Sequence, residues 1–295
     1  MTPGSSAVLS DLLQITINGA MAGSILAIPA IGLTAIYAVL RFPNFALASH
    51  ATIGAFAGLI ANTTLGLSVV PSLAFAFVAA GIVGLVTDEF VLKPFRAHGF
   101  ITTAIGSISL TILLENVIRF GFGNSLNSYD LPMMRDWRVG DVRIGPQQVE
   151  NLAISAVVMA AVFLFLGFTR TGKTMRAVAD NPVLADIKGI DAARVGRIVS
   201  FVGMGLAGIG GMLIGLDTSI DPLTGFRAML SIFAAAVVGG LGSIPGAVLG
   251  ALTVGIGEEF ATLLLSPSYR SVVGFLAILI VLCIRPRGIL GQRAY

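Results

Sequence analysis

The feature that most constrains this chain is the recurrence, from residue 11 almost to the C-terminus, of predominantly apolar runs that reach or approach the length needed to cross a membrane. A hydrocarbon core of about 30 Å takes roughly 20 helical residues. Runs of that kind fall at about 11–40, 50–62, 69–92, 100–120, 150–168, 198–216, 229–257 and 271–284. They predict an all-α polytopic transmembrane helix bundle that forms one domain over residues 1–295. A water-soluble fold is excluded by the same count of charges: 11% of residues are charged and 56% hydrophobic, against about 25% charged in soluble domains. The 36 glycines fit the same picture, because membrane helices associate through close backbone approach. Gly203, Ala207, Gly211 and Gly215, four apart, are a candidate packing stripe.

Loop charges then set the topology. Lys and Arg concentrate on cytoplasmic loops, so Lys93 with Arg96 marks one inside loop, and Arg170, Lys173, Arg176, Lys188, Arg194 and Arg197 mark a second, about 169–197. Arg285, Arg287 and Arg293 place the C-terminal tail inside as well. The loop at about 121–149 falls outside, its arginines interleaved with Asp130, Asp136 and Asp141. A single crossing by 229–257 would put the tail outside, against its arginines. Parity is restored if this segment enters and returns as two helices broken at GGLGSIPG, residues 239–246, where glycine freedom and a proline lacking its donor interrupt a helix.

Broken backbone at membrane depth is tolerated only beside protein or a water-filled cavity. Gly239, Gly240, Gly242, Pro245 and Gly246 are therefore candidate pathway residues; the alternative is a tight turn between two helices at the membrane surface. The stretch RFPNFALASH, residues 41–50, is a second irregular candidate. Pro43 disfavours helix at Phe42, and Asn44, Phe45 and His50 could meet substrate, His50 being equally readable as packing. Pro29 and Gly32 interrupt the first run, which is one kinked helix or two short ones.

Several chemistries have no support. His50, His98 and the lone Cys283 are far apart, so no metal site, disulfide framework, cofactor or catalytic residue is expected. The net charge of +3 gives no reason for a nucleic-acid partner. The first ten residues contain no Lys or Arg, so no cleavable leader is expected. Gly167, Gly172, Lys173 and Thr174 match the phosphate-loop pattern GxxxxGK[ST], but a genuine phosphate loop follows a buried strand and this one follows a run of transmembrane length. The i, i+4 pairs Glu89–Lys93 and Glu115–Arg119 read as helix-surface ion pairs. An ion-coupled secondary transporter would need a buried carboxylate or an unwound cation site, and no acidic residue is central to an apolar run. A passive channel formed by the chain alone is the other rival.

The segment 169–191 is polar yet carries the signals of folded structure. Asn181 can cap a helix, Pro182 suits its first position and Gly189 the residue after its end. They define a short helix at about 182–188, on which Val183, Leu184 and Ile187 form an apolar face. It fits either a partner surface or the chain's own bundle and lipid headgroups.

This stretch resembles the cytoplasmic coupling loop of the branched-chain amino acid importer permeases of the ATP-binding-cassette superfamily, in Gly172, Met175, Arg176, Ala177, Asn181, Pro182, Ala185, Gly189 and Ile190. Residues 237–250, residues 32–46, and Glu89 with Lys93–Arg96 resemble other segments of that family, in the expected order. One departure is that Leu47 and Ala48 stand where the family usually has His-Gly. The resemblance implies a bacterial inner-membrane permease subunit without an ATPase site of its own. It implies a second related permease, homo- or heterodimeric, two cytoplasmic ATP-binding subunits and an extracytoplasmic substrate-binding protein. Branched-chain or other hydrophobic amino acids, or related small polar organic molecules, are the implied cargo. Arg176, Asn181, Pro182, Val183, Leu184, Ile187 and Gly189 become the implied ATPase-coupling set, with Arg176 pairing an acid on the ATPase or capping local carbonyls.

Overall fold

In a computed structural model the described residues are all but 1–4, 132–134, 140–141, 263–269, 286 and 292–295; Arg293 and Asp141, used above, lie outside them. The first run is one helix, α1 (Ser5–Leu40), continuous through Pro29. It is followed by α2 (Leu47–Leu59), whose last turn widens into a π-helical stretch at Ile60–Thr64, and by α3 (Val69–Thr87). A second π-helical stretch, Asp88–Leu92, runs into α4 (Lys93–Arg96) and then α5 (Phe100–Phe122). A small antiparallel ribbon, β1 (Trp137–Val139) with β2 (Val142–Ile144), precedes α6 (Pro146–Phe168). Next come α7 (Arg170–Asp180), α8 (Pro182–Ile187), α9 (Ala192–Asp217), α10 (Thr224–Gly239), α11 (Ile244–Ala261) and α12 (Arg270–Ile284). Among the described residues six helices are long and apolar enough to cross a membrane, α10 and most of α12 being shorter apolar helices.

The core is built on α1 and α9, antiparallel neighbours whose Ile28, Ile31, Leu33, Ile36, Met204, Met212 and Leu213 are almost wholly buried. Lipid offers no hydrophobic drive between helices, so they are held by van der Waals fit at small residues. At Gly211 a Cβ would stand 1.9 Å from the Ala51 carbonyl oxygen of α2, and at Gly54 another would stand 2.1 Å from Gly208 Cα. The outward faces of α3, α5 and α6 are apolar and exposed, with Phe75, Ile82, Ile105, Ile112, Val157 and Leu164 among them, as lipid-facing helices require.

The two ends of the bundle differ in charge. One end gathers the close of α1, α4, α7, α8, the α10–α11 turn and the tail. Arg41 donates to the Ala179 carbonyl of α7, and the Arg96 guanidinium lies 5.3 Å from the centre of the Phe42 ring. This is the basic end of the bundle. The other end is tied by Gln14, which bonds both backbone groups of Arg143 at 2.8 Å, and by the Asn127–Ile220 bridge. Tyr129 donates to the Ala55 carbonyl at 2.6 Å. Burial pushes its phenol well above the usual value, so it stays protonated and remains a donor. The start of α1, unplaced by the sequence, lies at this second end. The hairpin of α10 and α11 goes to the basic end and returns, which restores the parity expected from the tail arginines.

Candidate functional site

The first candidate, residues 41–46, begins where α1 stops. Arg41 takes φ 59, a left-handed conformation that costs a residue other than glycine of order 1 kcal/mol, and its tie to Ala179 holds it there. The chain then dips into the bundle. Asn44 is 1% exposed; its Oδ1 accepts from Ala46 N at 3.0 Å and its Nδ2 has no hydrogen-bond partner. Phe45 stacks on Phe233 of α10, ring centroids 4.7 Å apart and 8° from parallel, while its N–H donates to Ser107. His50 is wholly buried, with Nδ1 2.7 Å from Ala46 O and Nε2 3.1 Å from Thr87 Oγ1. Both ring nitrogens thus tie α2 to its own first turn and to α3, a packing geometry.

The second candidate, residues 239–246, is interrupted where the glycines and proline require. Gly240 and Gly242 take φ 108 and 94, and Ser243 caps α11 by accepting from Gly246 N at 3.2 Å. Gly239 and Gly246 meet backbone to backbone: a Cβ at Gly239 would stand 2.0 Å from Gly246 O. A helix end leaves carbonyls without intrahelical donors. Here the tail supplies them, Ile289 N to Val238 O at 2.8 Å and Leu290 N to Gly239 O at 2.9 Å. The break is a tight turn between antiparallel helices at the basic end, the geometry the sequence had left as an alternative to a break deeper in the membrane.

The third group is the α7–α8 arm. Thr169 caps α7 by accepting from Gly172 N at 2.9 Å, and Met175 and Val178 bury against the bundle. Asn181 Oδ1 accepts from Leu184 N at 3.0 Å, Pro182 is in the first turn, and Gly189 at φ 80 closes α8 with Ile190 N on Ala185 O at 3.0 Å. Asp191 then caps α9 through the N–H groups of Ala193 and Arg194. Ala185 faces inward at 4% exposure while Val183, Leu184 and Ile187 are 69%, 52% and 75% exposed. The phosphate-loop lookalike straddles the junction of α6 and α7, so the long helix α6, and not a strand, leads into it. Arg176 reaches the Gly167 carbonyl at a long 3.4 Å.

A cavity of about 490 Å³ joins the second and third groups: Arg176 and Asp180 of α7 line it together with Gly242, Ser243 and Pro245 of the turn and Val39 of α1. Asn44, Phe45 and His50 sit apart, in the bundle interior.

Sequence reasoning passed over two buried carboxylates. Asp88, its side chain 3% exposed, pairs with Arg96. Glu258 of α11, 6% exposed, accepts from Ser231 of α10 at 2.5 Å. Glu89–Lys93 and Glu115–Arg119 pair as their spacing predicts.

Residues 15–282 match the family described as the permease component of the branched-chain amino acid transport system. The chain belongs to this family. It is 31% identical, over 95% of its own length and 96% of the other, to the high-affinity branched-chain amino acid transport system permease protein BraD of Pseudomonas aeruginosa. It is 30% identical, with the same coverages, to the permease protein LivH of that transport system in Escherichia coli. A solved structure of PsaBC from Streptococcus pneumoniae in complex with Fab aligns at 15% identity and TM-score 0.44, covering 95% of this chain and 92% of that one. The chain is thus a multi-pass membrane permease component of the ATP-binding-cassette type, and the ion-coupled and passive-channel readings are not favoured.

Proposed function

We propose that this permease forms the membrane pathway of an importer for branched-chain or other hydrophobic amino acids, together with a second, related permease. Two ATP-binding subunits dock at its basic end, which faces the cytoplasm of a bacterial inner membrane. A substrate-binding protein delivers cargo to the opposite end. ATP is hydrolysed on those separate subunits. The observation that carries this reading is α8: a helix stopped at both ends by its own caps, holding Val183, Leu184 and Ile187 out to solvent at the basic end. Bare apolar side chains on a rigid, membrane-proximal arm fit a groove on another protein, and the cap bonds let that arm transmit a push without melting. Arg176, beside the 490 Å³ cavity, sits between arm and turn, so a tilt of α7 would open or close the gap above Gly242 and Pro245.

The test is to replace Val183, Leu184 and Ile187 by Asp and measure amino-acid uptake and ATP hydrolysis in the assembled transporter. Burying an unpaired carboxylate in an apolar groove costs about 1–3 kcal/mol or more. Uptake should fall by roughly tenfold or more while hydrolysis by the ATPase subunits persists, no longer linked to transport. Unchanged uptake sinks the assignment.

A further inference from the structure

Where α3 ends and α9 begins, at the basic end, the two antiparallel helices part and leave a cavity of about 360 Å³ on the surface of the bundle. Their contact is made deeper down. There Phe201 of α9 lies against Gly81, where a Cβ would stand 2.8 Å from its ring, and meets Phe77 edge-on with centroids 5.6 Å apart. The cavity walls are Leu85 of α3 with Phe201, Ile198, Arg197 and Arg194 of α9. The four α9 residues are spaced i, i+3, i+4, i+7 and so share one face. The cavity is hydrocarbon at its deep side and carries two guanidinium groups towards the basic end. Its apolar surface continues along α3, where Ile82 and Val78, one and two turns below Leu85, are 52% and 46% exposed.

The charges around it do not balance. Both arginines are exposed, and among the described residues neither is in an ion pair. Arg197 is within electrostatic reach of Glu89, just beyond α3, but that carboxylate is bound by Lys93. A guanidinium carries five N–H donors, so this distant attraction leaves Arg197 able to hold a further acceptor. Asp191, three residues before Arg194, caps α9 by accepting from the N–H groups of Ala193 and Arg194. Arg194 itself stands in the first turn of α9, at the positive end of the helix dipole, where a cation is disfavoured and an anion welcome. Arg194, Arg197 and Lys93 thus outnumber Glu89 and Asp191 at this corner.

We propose that this cavity seats an anionic phospholipid. Its phosphate accepts from Arg194 and Arg197, and an acyl chain runs over Leu85, Ile198 and Phe201 towards Ile82. Each part of the cavity answers one part of such a lipid: a soluble anion has no use for the hydrocarbon wall, and a zwitterionic lipid brings an ammonium that two guanidinium groups repel. Basic pockets between membrane helices on the cytoplasmic side are a recurrent form of head-group site. The site stands on charge and groove alone and does not depend on the cargo.

The test uses the full chain purified with its transporter partners and stripped of lipid. Palmitoyl-oleoyl phosphatidylglycerol or the matching phosphatidylcholine is added back, and bound lipid is counted by native mass spectrometry. Phosphatidylglycerol should be retained in preference. Arg194→Gln and Arg197→Gln should each raise its half-saturating concentration by about fivefold, and the pair together by about 25-fold. Lys188→Gln, which removes a cation of the same end outside the cavity, should leave it unchanged. Ile198→Trp, which fills the groove and keeps both charges, should also weaken retention. Arg194→Lys with Arg197→Lys should recover most of the binding, which separates loss of the site from loss of the fold. Equal retention of the two lipids, or undiminished phosphatidylglycerol in the double glutamine variant, overturns the site. Displacement by an equal concentration of glycerol phosphate, which has the head-group charge without the chains, overturns the lipid in favour of a soluble anion.

Discussion

At Gly211 the backbone of α9 lies against the Ala51 carbonyl of α2 so closely that a single added carbon would stand 1.9 Å away. Neither partner is a flexible side chain that could swing aside, so Gly211→Ala must separate two helices in the middle of the core. Overpacking of this kind costs about 1–3 kcal/mol, sometimes more. Gly167, near the end of α6, has nothing within 4 Å of the same hypothetical carbon, and alanine there removes a helix-interior glycine worth about 0.5–1 kcal/mol. Thermal unfolding in detergent should therefore give a lowered midpoint for Gly211→Ala and an unchanged or raised one for Gly167→Ala. The i, i+4 glycine spacing made Gly211 a packing candidate from the sequence. Asp88 and Glu258 were not legible in the same way. Asp88 sits one residue from the Glu89–Lys93 pair, and only the packed ends of α3, α4 and α9 show that it, unlike Glu89, turns inward to Arg96. Glu258 lies at the close of its apolar run, and its partner Ser231 is 27 positions away on another helix.

Elements with local punctuation were the most readable. The short helix expected at 182–188 is Pro182–Ile187, with Asn181 and Gly189 at its ends, because capping depends on a few adjacent residues. The break expected within 239–246 lies between Gly239 and Ile244 for the same reason. Its depth was not readable, since that depends on where α1, α7 and the tail run. Pro29 left one kinked helix and two short ones both open, and the single helix is found: α1 continues through it, packed where a Cβ at Gly210 would stand 2.5 Å from the proline ring, and a glycine opposite makes room for the ring. The small ribbon β1–β2 within the 121–149 loop carried no signal used in the sequence reading. The tail bears on the turn directly. A chain ended after Arg287 loses the two N–H groups of Ile289 and Leu290 that cover the last carbonyls of α10. Two net hydrogen bonds are worth about 1–3 kcal/mol. The truncated protein should still insert, but it should unfold at a lower temperature, and proteolysis should cut the 240–243 turn faster than in the full chain; equal rates would mean that the tail does not support the turn.

For the whole molecule the decisive property is sidedness. Arg41, Lys93, Arg96, the α7–α8 arm and the tail residues Arg285 and Arg287 gather at one end through contacts internal to the fold, so their common location does not depend on any charge rule. Assigning that end to the cytoplasm does depend on one, because Lys and Arg resist export across the membrane. Every element of the proposed cycle is tied to that assignment: α8 must meet an ATPase where ATP is made, and cargo must be delivered at the opposite end. Lys188 and Ser125 lie at opposite ends, both exposed, and each can be replaced by Cys in a Cys283→Ser chain without touching a buried contact. A membrane-impermeant maleimide added to intact cells should label the Ser125 variant and leave the Lys188 variant unmodified until the membrane is opened. The reverse pattern would turn α8 away from ATP and remove the physical basis for coupling, whatever the fold resembles.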